Sequence, residues 1–284
     1  MREASVAQRS KAYAADLARS AQRLMFKRVR RNAGVVNEEY NVGHWGRVLS
    51  ARDWEKCDLD AFLIGSNRRE RLAKVDGRIV AIGTDDYYRY RLKALSSLLA
   101  RHAGDSESLL ELGAGFGYNL FSLSFDRRWR SLRGLDVAPN GIEAGRAIAR
   151  HYGLSDRISF DRIDLTDSAD TGFREIAGQT AFTFFCIEQI PYAVEAVIEN
   201  ILAARPRRVI NIEPAAEMLS LTKPRDVVSF VYLKSVDYQN RLFTVLDGLE
   251  KAGRIRIVAR ERMRFAPTIR NDGQLYAWEP LITQ

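Results

Sequence analysis

Three glycines in the middle of the chain are spaced so that a small molecule can lie against bare backbone. The segment Leu109–Gly117 reads LLELGAGFG, an apolar run that leads into glycines at positions 113, 115 and 117. An acid, Asp136, follows Gly117 by 19 residues, at the end of a second short apolar run. A glycine turn allows close approach to the backbone, and a carboxylate after the next strand can hold a ribose diol. The pattern predicts a site for a nucleotide-like cofactor.

The residues around the glycines indicate which cofactor this is. A phosphate-binding loop would place Lys and then Ser or Thr after the last glycine, where this chain has Tyr118 and Asn119. The dinucleotide order G-x-G-x-x-G is also absent, because the glycines read G-A-G-F-G, with Glu111 two residues before the first. This pattern resembles motif I of the class I S-adenosylmethionine (SAM) methyltransferases. SAM carries no phosphate, so its turn needs close backbone approach more than an anion cradle.

The resemblance can be followed along residues 85 to 280, and it implies how the elements position the site. Apolar runs predict buried strands, and alternation predicts two closing strands near the C-terminus. The predicted strands cover residues 109–112, 132–137, 158–163, 180–187, 209–214, 255–265 and 275–278. The implied fold is α/β, a Rossmann-like seven-stranded, mostly parallel sheet with helices on both faces and an N-terminal helical extension.

The same resemblance implies which residues would contact SAM and its product S-adenosyl-L-homocysteine (SAH). These residues are Glu111, Gly113, Ala114, Gly115, Gly117, Asp136, Val137, Asp164, Leu165 and Tyr88. Asp164 would lie at the adenine amino group, although Asp161 and Asp167 compete for that position. Asp136 can instead cap the helix that starts at Pro139, or do both. Packing in an aromatic helix is the alternative role for Tyr88.

Three residues are candidates for catalysis. Methyl transfer is an in-line displacement that depends on alignment, and an oxygen acceptor also needs a base. His44 is the candidate histidine, because His102, just before the first strand, and His151, near the end of the helix after Asp136, are expected to lie away from the strand ends where ligands bind. A structural role in its Gly-His-Trp-Gly turn is the alternative. Glu188 and Glu213 follow the fourth and fifth strands, where each is a candidate base or acceptor-orienting carboxylate. With Asn211 they are also conceivable metal ligands, but metal-dependent relatives use Asp, so no metal site is predicted. Glu188–Gln189 also resembles a Glu-His pair that is often structural.

Charge and periodicity divide the chain into three parts: residues 1–31, 32–104 and 105–284. Residues 1–31 contain nine basic and two acidic side chains and so carry nearly all of the net charge of +8. Apolar residues recur there at helical spacing, which predicts a basic amphipathic helix. Two roles are open for this helix: it docks on the catalytic domain, or it lies on an anionic membrane surface or glycolipid. Because the segment has no interleaved aromatic residues, nucleic-acid binding is not predicted. By the resemblance, residues 32–104 form a helical lid that shapes the acceptor pocket, and residues 105–284 bind SAM.

Composition narrows the class of protein. Two cysteines in no metal-ligand spacing give no disulfide framework, and no apolar run is long enough to span a membrane. The predicted location is cytoplasmic, with a peripheral place at the inner membrane face as the alternative. The predicted function is SAM-dependent methylation of a hydroxyl on a small molecule, sugar or glycan. The alternatives are N-methylation of a small amine or protein side chain, and a non-catalytic SAM-fold binding or scaffold subunit. The oligomeric state is left open.

Overall fold

The N-terminal part of the chain combines helices with a small sheet. The computed structural model describes residues 1–26, 30–65, 69–270 and 273–281. The first elements are β1 (Arg2–Glu3), α1 (Val6–Phe26), α2 (Ala33–Val36), a π-helix (Asn37–Trp45), α3 (Gly46–Ala51), α4 (Leu59–Ile64), β2 (Glu70–Val75), β3 (Arg78–Gly83) and α5 (Thr84–His102). The three strands form an antiparallel sheet in the order β1-β3-β2.

This sheet differs from the helical region predicted for residues 32–104. Strands β2 and β3 are joined by Asp76 and Gly77, whose φ angles are +49° and +82°. Two left-handed residues between strands form the tight turn that Asp-Gly favours in a β-hairpin. The Asp-Gly pair, followed by the apolar run IVAI, is the signal in the sequence that could have indicated a hairpin here.

The second part alternates strands and helices, as the apolar runs predict. Its elements are β4 (Ser108–Leu112), α6 (Tyr118–Leu123), β5 (Ser131–Asp136), α7 (Pro139–His151), β6 (Ile158–Arg162), β7 (Thr180–Phe184), α8 (Val194–Ala203), β8 (Arg208–Pro214), α9 (Pro224–Ser235), α10 (Leu242–Lys251), β9 (Ile255–Arg262) and β10 (Gly273–Pro280). The seven strands have the order β6-β5-β4-β7-β8-β10-β9. Neighbours from β6 to β8 are parallel, and β10 is antiparallel to both β8 and β9. The predicted Rossmann-like fold is confirmed.

Strand order determines where a ligand can bind. The chain winds from β4 outward to β5 and β6 on one side, then crosses to β7 and β8 on the other. The loops after β4 and β7 therefore diverge, and they leave a crevice at the carboxyl ends of the strands. The glycine turn is the loop that follows β4, so the fold places it at this crevice.

The sheet is covered on both faces because its strand residues alternate between two apolar cores. On β4, Leu109 belongs to the core on one face, whereas Leu110 and Leu112 belong to the core on the other. Fully burying a side chain of this size stabilises a fold by about 1.5–3 kcal/mol. The pattern explains why the strands read as continuous apolar runs rather than as alternating ones.

The basic N-terminal helix is docked on the rest of the chain. Helix α1 packs against α9, and its buried Asp16 accepts a hydrogen bond from Arg270 Nη1 at 2.8 Å. Arg19, one turn along α1, also pairs with Asp16. Of the roles open for the N-terminal helix, the structure therefore shows docking on the rest of the chain. Lys27, Arg28 and Val29 lie outside the described residues. None of the helices in the described ranges is long and apolar enough to cross a bilayer.

Candidate active site

The glycine turn has a backbone that only glycine adopts easily. Gly113, Gly115 and Gly117 have φ angles of +75°, +56° and +87°. A Cβ atom built on Gly113 would lie 2.0 Å from Cys186 Sγ, and one on Gly115 would lie 2.5 Å from Trp45 Cζ2. Conformation and close packing together therefore require glycine at both positions.

Asp136 connects this turn to the start of α7. Its Oδ2 accepts a hydrogen bond from Gly115 N at 2.7 Å, and its Oδ1 accepts one from Ala138 N at 2.7 Å. Burial raises the pKa of the carboxyl, and these backbone N–H groups oppose that rise. Each oxygen keeps a second lone pair, so the acid can hold the turn and still accept hydrogen bonds from a ligand. Asp136 is not the cap of α7, because Ala138 occupies the N-cap position and no side chain caps this helix; its contact with a ribose stays a prediction.

A cavity of about 420 Å³ opens over the turn. Seven of the predicted cofactor residues line it: Glu111, Gly113, Ala114, Asp136, Val137, Asp164 and Leu165. The structure does not bring Gly115, Gly117 or Tyr88 to the cavity wall. Gly115 lies against the Trp45 ring and Gly117 against Phe160, while the Tyr88 ring packs on Tyr87 and Tyr118. Tyr88 therefore occupies the packing role that was its alternative.

A buried polar chain forms one wall of the cavity. Glu111 is 1% exposed, and its Oε1 accepts a hydrogen bond from Asn119 Nδ2 at 2.5 Å. Asn119 Oδ1 in turn accepts one from Arg91 Nη2 at 2.7 Å. Burial raises the pKa of Glu111 to about 8, against the lowering effects of Asn119 and Arg91. All three residues line the cavity.

Two atoms of the Glu111–Asn119–Arg91 group have no hydrogen-bond partner. Glu111 Oε2, an acceptor in the ionised carboxyl, and Arg91 Nη1, a donor, are both buried and unpaired. Such atoms are costly to leave unsatisfied, so a pair of opposite character in one cavity wall indicates a ligand that carries both a donor and an acceptor. Arg91 lies within an ordinary helical pattern, so nothing in the sequence marks it as a site residue. Asn119 follows the last glycine by two residues, a position that could have indicated its role.

Of the three acids near the end of β6, Asp164 is the one that lines the cavity. Its Oδ1 accepts hydrogen bonds from the backbone and the hydroxyl of Thr166, at 2.9 and 2.7 Å. Asp161 instead pairs with Arg146 at 3.1 Å, and Asp167 accepts from Ala169 N at 3.0 Å. The choice among the three follows from position: Asp164 comes just after β6 ends, at the edge of the sheet where ligands bind.

The π-helix covers the cavity from the N-terminal side. Tyr40, Asn41 and Trp45 from this segment line the cavity. Asn41 is joined to the start of α7 by two hydrogen bonds, from Asn140 N to Asn41 Oδ1 at 2.9 Å and from Asn140 Nδ2 to Asn41 O at 3.0 Å. The segment therefore has the position that a lid over a bound cofactor needs, and the aromatic residues it contributes are Tyr40 and Trp45.

The predicted catalytic residues lie off the cavity wall. His44 packs its ring near those of Tyr40 and Trp45, with centroids 5.4 and 6.2 Å away, and it is not among the lining residues. Glu188 and Glu213 are buried and are also absent from the lining. A direct catalytic role for His44 stays a prediction that its position does not favour.

Glu213 anchors the turn after β7. Phe185 has a φ of +55°, a strained conformation for a bulky residue. The Glu213 carboxylate accepts hydrogen bonds from the next three backbone N–H groups, those of Cys186, Ile187 and Glu188, at 3.1 to 3.2 Å. Burial raises the pKa of Glu213 to about 7 against these bonds. Its geometry favours support of the turn over proton transfer.

Comparisons with known proteins bear on the fold. No protein-family model matches the chain, and no curated protein matches it. Among solved structures, the [4+2]-cyclase SpnF is 14% identical with a TM-score of 0.53, covering 83% of this chain and 97% of that one. The pyocyanin biosynthetic protein PhzM is 14% identical (TM-score 0.49; 68% and 56% covered). The O-methyltransferase NcsB1, in complex with SAM and 2-hydroxy-5-methyl naphthoic acid, is 16% identical (TM-score 0.45; 68% and 57% covered). At these identities a likeness shows the fold alone, and of these three structures SpnF has a TM-score above 0.5.

Proposed function

We propose that this protein binds SAM in the cavity above the glycine turn and transfers its methyl group to a small molecule. The observation that carries the proposal is the pair of unpaired buried atoms, Glu111 Oε2 and Arg91 Nη1, in the wall of a cavity that Asp136 and Asp164 also line. The amino-acid end of SAM has an ammonium group that donates and a carboxylate that accepts. These are the two partners that the unpaired atoms lack.

The other lining residues fit the rest of the molecule. Asp136 would hold the ribose hydroxyls, Asp164 the adenine amino group, and the glycine turn would allow the cofactor to approach the backbone. When bound, SAM supplies an electrophilic methyl group on a sulfonium. The chain would contribute binding, orientation of the acceptor, and exclusion of water by Tyr40 and Trp45 of the π-helix. No membrane or glycolipid contact is proposed for residues 1–31, because α1 docks on α9.

The cavity supports a small acceptor over a glycan. Cofactor and acceptor would share about 420 Å³, near the lower end of the range for small-molecule sites. Lining residues outside the proposed cofactor contacts include the apolar Val36, Phe185 and Ile190. O-methylation is the preferred reaction, with N-methylation of a small amine as the alternative. Since a cyclase shares the fold, fold alone does not assign methyl transfer, and a non-catalytic SAM-binding subunit is the remaining alternative.

Calorimetric titration with SAM and SAH tests the proposal. We expect micromolar binding to the wild-type protein and at least about tenfold weaker binding to Asp136→Ala, since each lost charged hydrogen bond is worth about 1.5–3 kcal/mol. Asp161→Ala is the matched control, because it removes an acid near the adenine side that does not line the cavity. A wild-type protein that binds neither compound, or equal losses in the two variants, would refute the assignment. Incubation with methyl-labelled SAM and a panel of small hydroxyl and amine compounds then separates an enzyme from a binding subunit.

A further inference from the structure

A second group of buried polar side chains lies beside the cavity and is not needed for the cofactor. This polar cluster consists of Arg31, Tyr40, Glu188, Gln189 and Tyr238. Tyr40 and Gln189 line the cavity, and Gln189 Nε2 donates a hydrogen bond to Glu188 Oε1 at 2.7 Å. The Arg31 guanidinium stacks on the Tyr238 ring, 4.9 Å from its centroid. Burial and then the nearby Glu188 carboxyl raise the pKa of the Tyr40 and Tyr238 hydroxyls, so both tyrosines lie within electrostatic reach of Glu188.

Three atoms of the polar cluster are buried without a hydrogen-bond partner. They are Glu188 Oε2, Gln189 Oε1 and Arg31 Nη1, and each of the three residues is more than nine-tenths buried. The rest of the Arg31 guanidinium is engaged, by Val236 O and Glu39 Oε2 at 3.0 Å each. Unpaired buried polar atoms are rare in folded proteins, and each calls for a partner. Gln189 lines the cavity, whereas Glu188 and Arg31 lie behind it. A bound molecule can therefore supply the missing partner of Gln189 Oε1.

The surroundings restrict the chemistry of that molecule. Val36, Phe185 and Ile190 give the cavity apolar walls near the segments that carry the polar cluster. A glycan would need partners for many hydroxyls, which such walls do not provide. A molecule that is apolar over most of its surface and has one hydrogen-bonding group matches both the walls and the polar cluster.

The polar cluster also distinguishes a hydroxyl from an ammonium group. Gln189 Oε1, the unpaired atom on the cavity wall, is an acceptor and needs a donor. A hydroxyl supplies a donor without a charge. An ammonium would meet a neutral amide at this position rather than a carboxylate, because Glu188 does not line the cavity, and a buried charge without an ionic partner is costly. The arrangement therefore favours a neutral group.

We propose that the polar cluster is the acceptor-recognition site and that it selects a small, largely apolar molecule through a single hydroxyl group. The proposal rests on the SAM-dependent function above, because the acceptor is expected to lie beside the bound cofactor. Gln189, which follows β7, and Tyr40, from the N-terminal segment, line the cavity and contact the hydroxyl. Glu188 holds the Gln189 amide through its hydrogen bond, and Arg31 and Tyr238 act on Glu188 from behind the cavity wall.

The test is calorimetric binding of small probes to the SAH-saturated protein. We expect 4-methylphenol to bind at least about tenfold more tightly than toluene, which has the same ring without the hydroxyl. Gln189→Leu removes the proposed acceptor atom, and Glu188→Leu removes the carboxyl that holds the Gln189 amide. Each should reduce that preference by about fivefold or more while leaving SAH binding within about twofold. Tyr192→Phe is the matched control, since it removes a hydroxyl from a cavity residue outside the polar cluster; it should leave the preference unchanged.

Several outcomes would overturn the proposal. These are equal binding of 4-methylphenol and toluene, an unchanged preference in both variants, or tighter binding of benzylamine or methyl β-glucoside. If one variant fails to fold, judged by loss of SAH binding, the other decides. Absence of SAH binding to the wild-type protein would instead refute the proposed function, and the same probes titrated without SAH then still test the polar cluster. The two failures are therefore distinguishable.

Discussion

Replacing Glu111 by Gln should stabilise the folded protein at alkaline pH. The buried carboxyl has a pKa of about 8, against an ordinary value of 4.5, chiefly because of burial. Between about pH 4.5 and 8, the folded state therefore keeps a proton that the unfolded chain has already released. Stability contributed by this group is greatest below pH 4.5 and falls as the pH rises through that window. The unliganded protein is therefore expected to be least stable at pH values at which Glu111 is ionised.

The magnitude follows from the same values. A rise in pKa from 4.5 to about 8 corresponds to at most about 5 kcal/mol, at about 1.4 kcal/mol for each pH unit. Gln keeps an oxygen to accept the hydrogen bond from Asn119 Nδ2, but it buries an unpaired amide donor, which costs about 1–3 kcal/mol. We therefore expect Glu111→Gln to be neutral or slightly destabilising near pH 5, and more stable than wild type by about 2–4 kcal/mol at pH 8 or above.

Urea unfolding at pH 5 and pH 8.5, followed by circular dichroism, measures this difference. Glu107→Gln is the control, because Glu107 is an exposed acid just before the same strand, paired with Arg130, and should show little dependence on pH. SAH affinity should change in the opposite direction and fall at least about tenfold in Glu111→Gln, because the amide nitrogen cannot accept from an ammonium. If the stability difference between wild type and Glu111→Gln is the same at both pH values, the reasoning about the buried carboxyl is wrong.

Three further predictions follow from the turn, the cavity wall and the N-terminal helix. Gly115→Ala should reduce SAH affinity at least about tenfold, because its Cβ would lie 2.5 Å from the Trp45 indole. The control Gly153→Ala has a similar φ and no atom within 4 Å, so it should cost only about 1–2 kcal/mol of stability and leave the affinity unchanged. Arg91→Met keeps the apolar stem and loses the unpaired donor, so calorimetry should show at least about tenfold weaker SAH binding. It also leaves Asn119 Oδ1 without its donor, which should cost about 1–3 kcal/mol of stability; unchanged affinity would contradict the proposed carboxylate contact. Asp16→Ala leaves the Arg270 guanidinium without its buried partner, so limited proteolysis should cut within α1 faster than in wild type, and equal rates would show that the ion pair does not hold the helix.

The cofactor half of the site was largely predictable from the sequence because its signals are local. The strand, glycine turn and Asp136 lie within 28 residues of one another, and the turn geometry depends on glycines that the sequence displays directly. The polar residues that complete the site come from elsewhere. Arg91 reaches the cavity from α5, and Tyr238 follows α9, so their roles depend on how those helices pack. No periodicity in either segment marks these two residues.

For Asp136 and Glu213, the sequence predicted the position of each residue but not its role. Both were identified as acids at strand ends, and both are there. What distinguishes them is the backbone around them: two N–H groups approach Asp136, which stays on the cavity wall, whereas three enclose Glu213, which does not. These contacts depend on the path of the chain after each strand, and the residue types do not specify that path.

The π-helix makes the acceptor site sensitive to chain length as well as to side-chain identity. Regular π-helical segments rarely exceed a single turn, yet this one covers nine residues between α2 and α3, and Gly46 N closes its last turn on Asn41 O. An i→i−5 turn holds one residue more than an i→i−4 turn, so removing one residue would let this segment return to α-helical bonding without displacing α2 and α3 far. The side chains within the segment, Tyr40 and Trp45 among them, would then face different directions. Single-residue insertions and deletions in this segment are therefore the changes by which a lineage, or a laboratory library, would most readily produce proteins with a new acceptor preference on an unchanged cofactor domain.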